Sequence, residues 1–350
     1  MIQNSGIGRV LYETLLYLLD NGDEWILIGN PEFLKQLPGK RNTIVASHAP
    51  AFHPREFVGF PRRIINSADV FFTPNYNIPG GIRVPIVASI LDLVYFDLPE
   101  IVRSPVGRWI RRYFARRAVR LSREIITISE FTRERIEYYL KPGVPIHVCY
   151  LGITRELRNQ RADFLRGPRP YDFPYILYIG NVKRHKNLHV LLEAYLTARK
   201  NDFNCKLVIV GKMEGLRTRD AGIMREFAQL EKQGDIITSG YVPDNELYQL
   251  MAHTEVLIQP SLYEGFGLPP LEALYLGRPV VLSDIPIFRE VYSDLPVTFF
   301  DPLSVRQLSA ILENHSWETP TSIDTTLKSR ELDYAAAAEK IYSVLKKYAG

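Results

Sequence analysis

Short, nearly unbroken apolar runs recur along the chain, with helical patterns between them. The clearest are WILIG (25–29), VPIVASI (84–90), EIITIS (124–129), IHVCYL (146–151), YILYIG (175–180), KLVIVG (206–211) and EVLIQPS (255–261). PVVLS (279–283) is a weaker one. A strand with no polar alternate face must be covered on both sides, and the intervening helices supply the covers. The pattern predicts an α/β protein with doubly wound parallel sheets. At 350 residues the chain exceeds one compact core and suggests two domains. From Arg155 to Pro174 it is charged, holds three prolines and shows no sustained period, which predicts an inter-domain linker. The expected division is 1–160, 171–325 and a C-terminal helix, 326–350, packing back toward the first domain.

Composition narrows the function classes. Apolar residues make up 46% and charged residues 23%, the balance of an ordinary folded protein. A net charge of +4 is too small to argue for nucleic acid. Two cysteines, Cys149 and Cys205, make neither a disulfide framework nor a metal cluster and fit a reducing compartment. No apolar run approaches the roughly 20 residues of a spanning helix, and no signal peptide is read. The expectation is a cytoplasmic protein, with the inner membrane face open to it.

The start of the chain is unusual. SGIGRVLYETLLYLL (5–19) reads as a glycine loop opening a helix, yet only Met1 to Asn4 precede it. Such a loop ordinarily follows a strand. At about 3.3 Å per residue, four residues make a stub. The expectation is that the first strand is missing and that Met1 is an internal methionine of a longer reading frame.

The densest signal is PSLYEGFGLPPLEALYLGRPVVLS (260–283). A strand leads into the loop Glu264–Leu268, and Pro269 and Pro270 start a helix. Backbone N–H groups of Gly265 to Leu268, with the helix dipole behind them, can seat an anion. Glu264 and Glu272 stand with seven residues between them, and a carboxylate can grip a vicinal diol such as a ribose. Two plainer readings stand beside these: Glu272 as a first-turn acid stabilising the dipole, and Glu264 as a solvated loop residue.

The arrangement EGFGLPPLEAL before GRPVVLS resembles the retaining glycosyltransferases of family 4, which have the GT-B fold of two Rossmann-like domains facing a cleft. YIGNVKRHKNLHVLLEAY (178–195) resembles the family's donor-diphosphate segment, and SGYVPDNELYQLMAHTEVLIQPS (239–261) its nucleobase segment. SGIGRVLYETL and ITISEFTRERI (126–136) resemble its N-domain glycine loop and strand–turn–helix. The resemblance implies that Lys186 neutralises a donor diphosphate, Glu272 binds the ribose and Glu264 faces the sugar and phosphate. Phe266, Gly267 and Leu268 would hold sugar hydroxyls through backbone N–H groups. Tyr241 and Val242 would frame the base, and Gly6 and Gly8 would let the backbone approach the phosphates. No cofactor is implied. No metal is expected either, because the chain has no Asp-x-Asp pair to hold one at the diphosphate.

Two positions depart from the family. A basic residue commonly follows the glycine ending the first C-domain strand; here Asn181 stands there, with Lys183, Arg184 and His185 close behind. Many members carry His-Asp where this chain has Leu91-Asp92, so the sugar-touching His is gone and Asp92 remains as the polar candidate. His48 and His53 read as ordinary surface residues.

The stretch Arg103 to Arg123 holds eight arginines and no acid, with Trp109, Ile110, Phe114 and Val119 at helical spacing. It is either a solvated basic face or a helix meeting anionic lipid or a lipid-diphosphate acceptor. The implied function is sugar transfer from a GDP- or UDP-sugar, GDP-mannose among them, to a glycan or lipid-linked acceptor in cell-surface polysaccharide synthesis. The alternatives are a catalytically weakened nucleotide-sugar binder and another reaction on the same fold, such as epimerisation.

Overall fold

A computed structural model describes residues 6–39, 41–47, 59–102, 104–213, 221–320 and 322–349. His48 and His53 lie outside them, as do Met1 to Ser5 and Arg103. The chain divides into two compact units, 1–152 with 331–350, and 153–330.

The first unit holds β1 (Trp25–Gly29), β2 (Asn42–Ala46), β3 (Phe71–Thr73), β4 (Ile86–Ser89), β5 (Glu124–Thr127) and β6 (Ile146–Val148). All pair in parallel, but as two sheets: β1-β2, and β3-β4-β5-β6. A cavity of about 1190 Å³ lies between them, lined by all of β1 and all of β3. A single doubly wound sheet is therefore not formed by the described strands of this unit. The helix Gly6–Leu18 covers β1 with Leu15, beside Leu27 and Leu34. The last helix, Tyr334–Lys346, packs Ala338, Ile341 and Leu345 against Leu18, Val87 and Ile126. Its end is tied down by Glu124, whose Oε1 accepts from Lys347 Nζ and Tyr348 Oη, both at 3.0 Å. Burial pushes the Glu124 carboxyl up, but hydrogen bonds from His147, Lys347 and Tyr348 outweigh it and hold it below its ordinary range.

The second unit holds β7 (Tyr175–Ile179), β8 (Lys206–Val210), β9 (Ile236–Gly240), β10 (Val256–Gln259), β11 (Val280–Ser283) and β12 (Thr298–Phe300). These form one parallel sheet in the order β12-β11-β10-β7-β8-β9. β7 and β10 are buried along their whole lengths, as strands covered on both faces must be. The order runs outward both ways from β7 and β10, so the topological switch point lies between those neighbours.

The expected linker is a helix, Arg155–Arg166. Thr154 caps it by accepting from the Leu157 N–H at 3.3 Å. Leu157 and Phe164 are buried, and the Phe164 and Tyr248 rings meet at 5.3 Å. Leu157 and Phe164, seven positions apart, form its buried stripe, and the charges filling the remaining faces hid it in the sequence. The tail predicted as one helix is two, Asp324–Ser329 in the second unit and Tyr334–Lys346 in the first.

Candidate functional site

The second unit gathers its polar residues at the switch point. Beyond β7 the chain turns through a 3-10 segment, Arg184–Lys186, into the helix Leu188–Lys200. Asn187 joins the two with a positive φ of 56° and donates from Nδ2 to the Pro302 carbonyl at 2.8 Å. That turn carries Lys186 toward β10. The loop after β10 carries Glu264 toward β7. Lys186 Nζ and Glu264 Oε1 meet at 2.5 Å, with side chains only 21% and 12% exposed. The Leu262 N–H donates to the His185 carbonyl at 2.7 Å, which ties the two loops by backbone as well.

Glu264 is not a solvated loop residue. Its Oε1 also accepts from Ser261 Oγ at 2.8 Å and Gln259 Nε2 at 3.2 Å. Burial alone would push its carboxyl up; Lys186 and the hydrogen bonds from Lys186 and Ser261 reverse that and hold it below the usual carboxylate range. His185 is pushed down to about 4, first by burial and then by Lys186, so it is neutral at pH 7.

Glu264 opens the glycine loop. Gly267 has a φ of +94° and precedes the helix Leu268–Tyr275. A Cβ there would lie 2.6 Å from the Phe288 ring, and the Gly267 carbonyl accepts from the Tyr292 hydroxyl. Phe266 is buried beneath the loop. Glu272 is the fifth residue of this helix and fully buried, so the first-turn dipole reading fails. Burial, then the Glu272 and Glu264 carboxylates, push the Tyr292 phenol far up. One phenol therefore senses both acids of the spaced pair.

The remaining predicted residues fall in several places. Lys183 is exposed at the start of the 3-10 turn. Asn181 Oδ1 accepts from the Lys212 N–H at 2.9 Å, which joins the loops after β7 and β8. Tyr241 follows β9 and is 63% exposed; Val242 follows it, half-buried. In the first unit, Gly6 begins the helix Gly6–Leu18 and Gly8 is buried within it. Asp92 Oδ1 accepts from the Val94 N–H at 3.2 Å, at the start of the short helix Val94–Asp97. Gln259 and Ser261, which hold Glu264 in place, are positions that the sequence reading passed over; His185, named there only as a basic residue near Asn181, ties the two loops through its carbonyl.

The arrangement can neutralise a phosphate with Lys186, present carboxylate oxygens to hydroxyls, and offer a helix start to an anion. Residues 160–314 match the sequence family described as Glycosyl transferases group 1. The matched segment includes Lys186, Glu264 and Glu272. The chain is 29% identical over 259 residues to O-antigen chain mannosyltransferase B of Escherichia coli, 71% of this chain and 66% of that one. It is 26% identical to O-antigen chain mannosyltransferase RfbU of Salmonella typhimurium over 59% of this chain and 54% of that one. The matched stretches thus span just under two thirds and about half of those relatives. Sucrose-phosphate synthase from Thermosynechococcus elongatus superposes with a TM-score of 0.71 at 17% identity, covering 98% of this chain and 93% of that one. That likeness concerns the fold, which is GT-B.

Proposed function

We propose that this chain transfers a hexose, mannose foremost, from a nucleotide-sugar to a glycan or lipid-linked acceptor with retention, in cell-surface polysaccharide synthesis. The observation that carries the reading is the Lys186–Glu264 pair at the switch between β7 and β10. Ligands of open α/β sheets seat beyond the strand ends at that crevice. An arriving diphosphate gives the Lys186 ammonium a doubly charged partner, which frees the Glu264 carboxylate to accept from sugar hydroxyls. Glu272 is assigned the ribose, Tyr241 and Val242 the base, and the loop N–H groups of Phe266, Gly267 and Leu268 the sugar. Lys183, exposed on the same turn as Lys186, supplies the second positive charge. Gly6, Gly8 and Asp92 are assigned to the donor from the first unit. The names of the two mannosyltransferase relatives support mannose.

The test is a thermal-shift panel of GDP, UDP and their sugars, followed by turnover of the donor that binds and anomeric analysis of the product. A matched donor at about 100 times its Kd adds roughly 2.7 kcal/mol of stability. No shift with any nucleotide-sugar, or an inverted product, overturns the reading. Turnover is expected to survive EDTA, because Lys186 and the helix start supply the positive potential; loss restored by magnesium would refute this.

A second reading, nucleotide-sugar binding without turnover, rests on Leu91, whose side chain cannot hydrogen-bond where the family resemblance implies a His. A thermal shift with no donor consumption, with or without acceptor, would favour it.

A further inference from the structure

We propose that Tyr292 is the positioning residue of the glycine loop: its hydroxyl turns the Gly267 carbonyl inward and so aims the Leu268 N–H at the donor. The inference rests on the reading of this loop as the holder of the donor sugar, and adds the group that aims it.

The first four N–H positions of an α-helix have no partner within the helix. In the helix Leu268–Tyr275 they are Leu268, Pro269, Pro270 and Leu271. Proline carries no N–H, so two of the four are absent. The Leu271 backbone hydrogen-bonds the Tyr292 phenol oxygen. That leaves Leu268 as the helix-start N–H for a ligand to meet.

Its direction follows from one peptide plane. In a trans peptide the C=O and the next N–H point to opposite sides. The Gly267 carbonyl and the Leu268 N–H share such a plane, and no cis bond occurs among the described residues. The Tyr292 hydroxyl donates to that carbonyl. Tyr292 is fully buried, so the carbonyl points into the packed unit and the N–H points away from it. The Gly267 φ of +94° is the backbone twist this orientation uses. Burial, Glu272 and Glu264 keep the phenol protonated, so it remains a donor at neutral pH.

Tyr292 is itself held in place. It ends the helix Pro286–Tyr292, and its ring meets that of Phe288 edge-on with centroids 5.8 Å apart. Arg330 closes the end of this helix. It donates to the Glu290 carbonyl at 2.5 Å and to that of Val291 at 2.7 Å, and it pairs with Asp294 at 2.6 Å. One helix thus supplies both controls on Gly267: the Phe288 ring that excludes a side chain, and the hydroxyl that orients the carbonyl. A tyrosine kept only for packing would need its ring alone. Here the hydroxyl bonds the loop and the helix start together.

The test is Tyr292→Phe, which keeps the ring against Phe288 and removes the hydroxyl. Hydrogen exchange of the full chain without ligand is the first measurement. The Leu271 amide loses its acceptor, and exchange in the peptide 264–274 is expected to quicken by about fivefold, the net worth of one hydrogen bond. Calorimetry with GDP, UDP and their sugars is the second. The matched nucleotide-sugar is expected to bind about fivefold more weakly, while the nucleoside diphosphate, assigned to Lys186, keeps its affinity. In turnover the loss is expected in KM for the donor rather than in kcat. Phe288→Leu is the packing control; it is expected to lower the melting temperature and leave the ratio of the two affinities unchanged. Unchanged exchange in Tyr292→Phe overturns the proposal. So does an equal loss of nucleotide and nucleotide-sugar affinity. The exchange measurement needs no ligand, so it decides the hold of Tyr292 on the loop even where wild type binds no nucleotide-sugar, the outcome that fails the donor reading instead.

Discussion

Lys186 and Glu264 hold each other in a site that is nearly closed to water, so each is the other's main counter-charge. Lys186→Ala removes the partner proposed for the diphosphate and strands a carboxylate among Gln259 and Ser261. Glu272→Ala removes the second acid from beside Tyr292. Each variant is expected to lower kcat/KM at least tenfold, about 1.4 kcal/mol of transition-state stabilisation, with circular dichroism retained. Normal turnover by both would sink the site assignment. His185 gives a pH prediction. Its folded value of about 4 lies below the ordinary 6.5, so between these values the unfolded chain takes up a proton that the folded chain refuses. Stability attributable to His185 is intact above 6.5 and falls as pH drops through that window, by on the order of 3 kcal/mol at its acid end. Glu264 acts at lower pH: its stabilising charge is present above the unfolded carboxylate's pKa and is lost as pH falls through the depressed folded value. His185→Asn is expected to flatten the melting temperature between pH 6.5 and 4 relative to wild type; an unchanged slope would contradict the burial argument. Lys186, Glu264 and Glu272 were legible because each stands in a local pattern tied to a strand end or a glycine loop. Gln259 and Ser261 were not, because their role is a contact with Glu264 that no spacing announces. Nor was the outward aim of Trp109, since helical periodicity groups residues on a face without saying which face meets water.

Among the elements, the loop between β10 and the helix Leu268–Tyr275 makes a specific backbone demand. Gly267 needs its positive φ, and a side chain there would strike the Phe288 ring. Gly277 also has a positive φ, 73°, but a Cβ there meets nothing within 4 Å. The two glycines separate strain from collision. Gly277→Ala is expected to cost only the left-handed penalty, about 1–2 kcal/mol. Gly267→Ala is expected to cost more in urea unfolding and to weaken donor binding, because the loop must shift off Phe288. Equal costs with unaltered donor affinity would refute a built loop. The strands readable from sequence were those with long apolar runs, such as β7 and β8, which are buried on both faces. β3 and β12 have three residues each, too few to show a period, and β2 and β9 mix polar residues into partly exposed lengths. Arg155–Arg166 was misread for a related reason: prolines beyond its end and charges along it hid the Thr154 cap and the two buried anchors.

At the scale of the molecule, alternation alone made two parallel α/β units legible, and the second matches that expectation with one six-stranded sheet. The first differs. β1 and β3 form no ladder with each other among the described residues, and the cavity between them is lined by every residue of both. Paired strands ordinarily lie about 4.8 Å apart, so a cavity lined by an edge strand of each sheet has the character of a place for one further strand. A strand there would make the order β2-β1-new-β3-β4-β5-β6, doubly wound like the second unit, and would lead into the helix Gly6–Leu18 by the usual strand-to-helix turn. Each edge hydrogen bond gained contributes about 0.5–1.5 kcal/mol net, against about 1–2 kcal/mol of backbone entropy per residue ordered. Because an inserted residue is paired on both sides and buries apolar surface as well, the balance favours insertion. Extending the chain ahead of Gly6 with about six β-branched apolar residues is therefore expected to raise the melting temperature, at about 2–4 °C for each kcal/mol gained in a unit of this size. It is also expected to slow amide exchange along Trp25–Gly29 and Phe71–Thr73 specifically. A polar, glycine-rich extension of equal length serves as the control. If both extensions leave the melting temperature and those amides unchanged, the slot is not a strand site, and the two sheets of the first unit are independent as they stand.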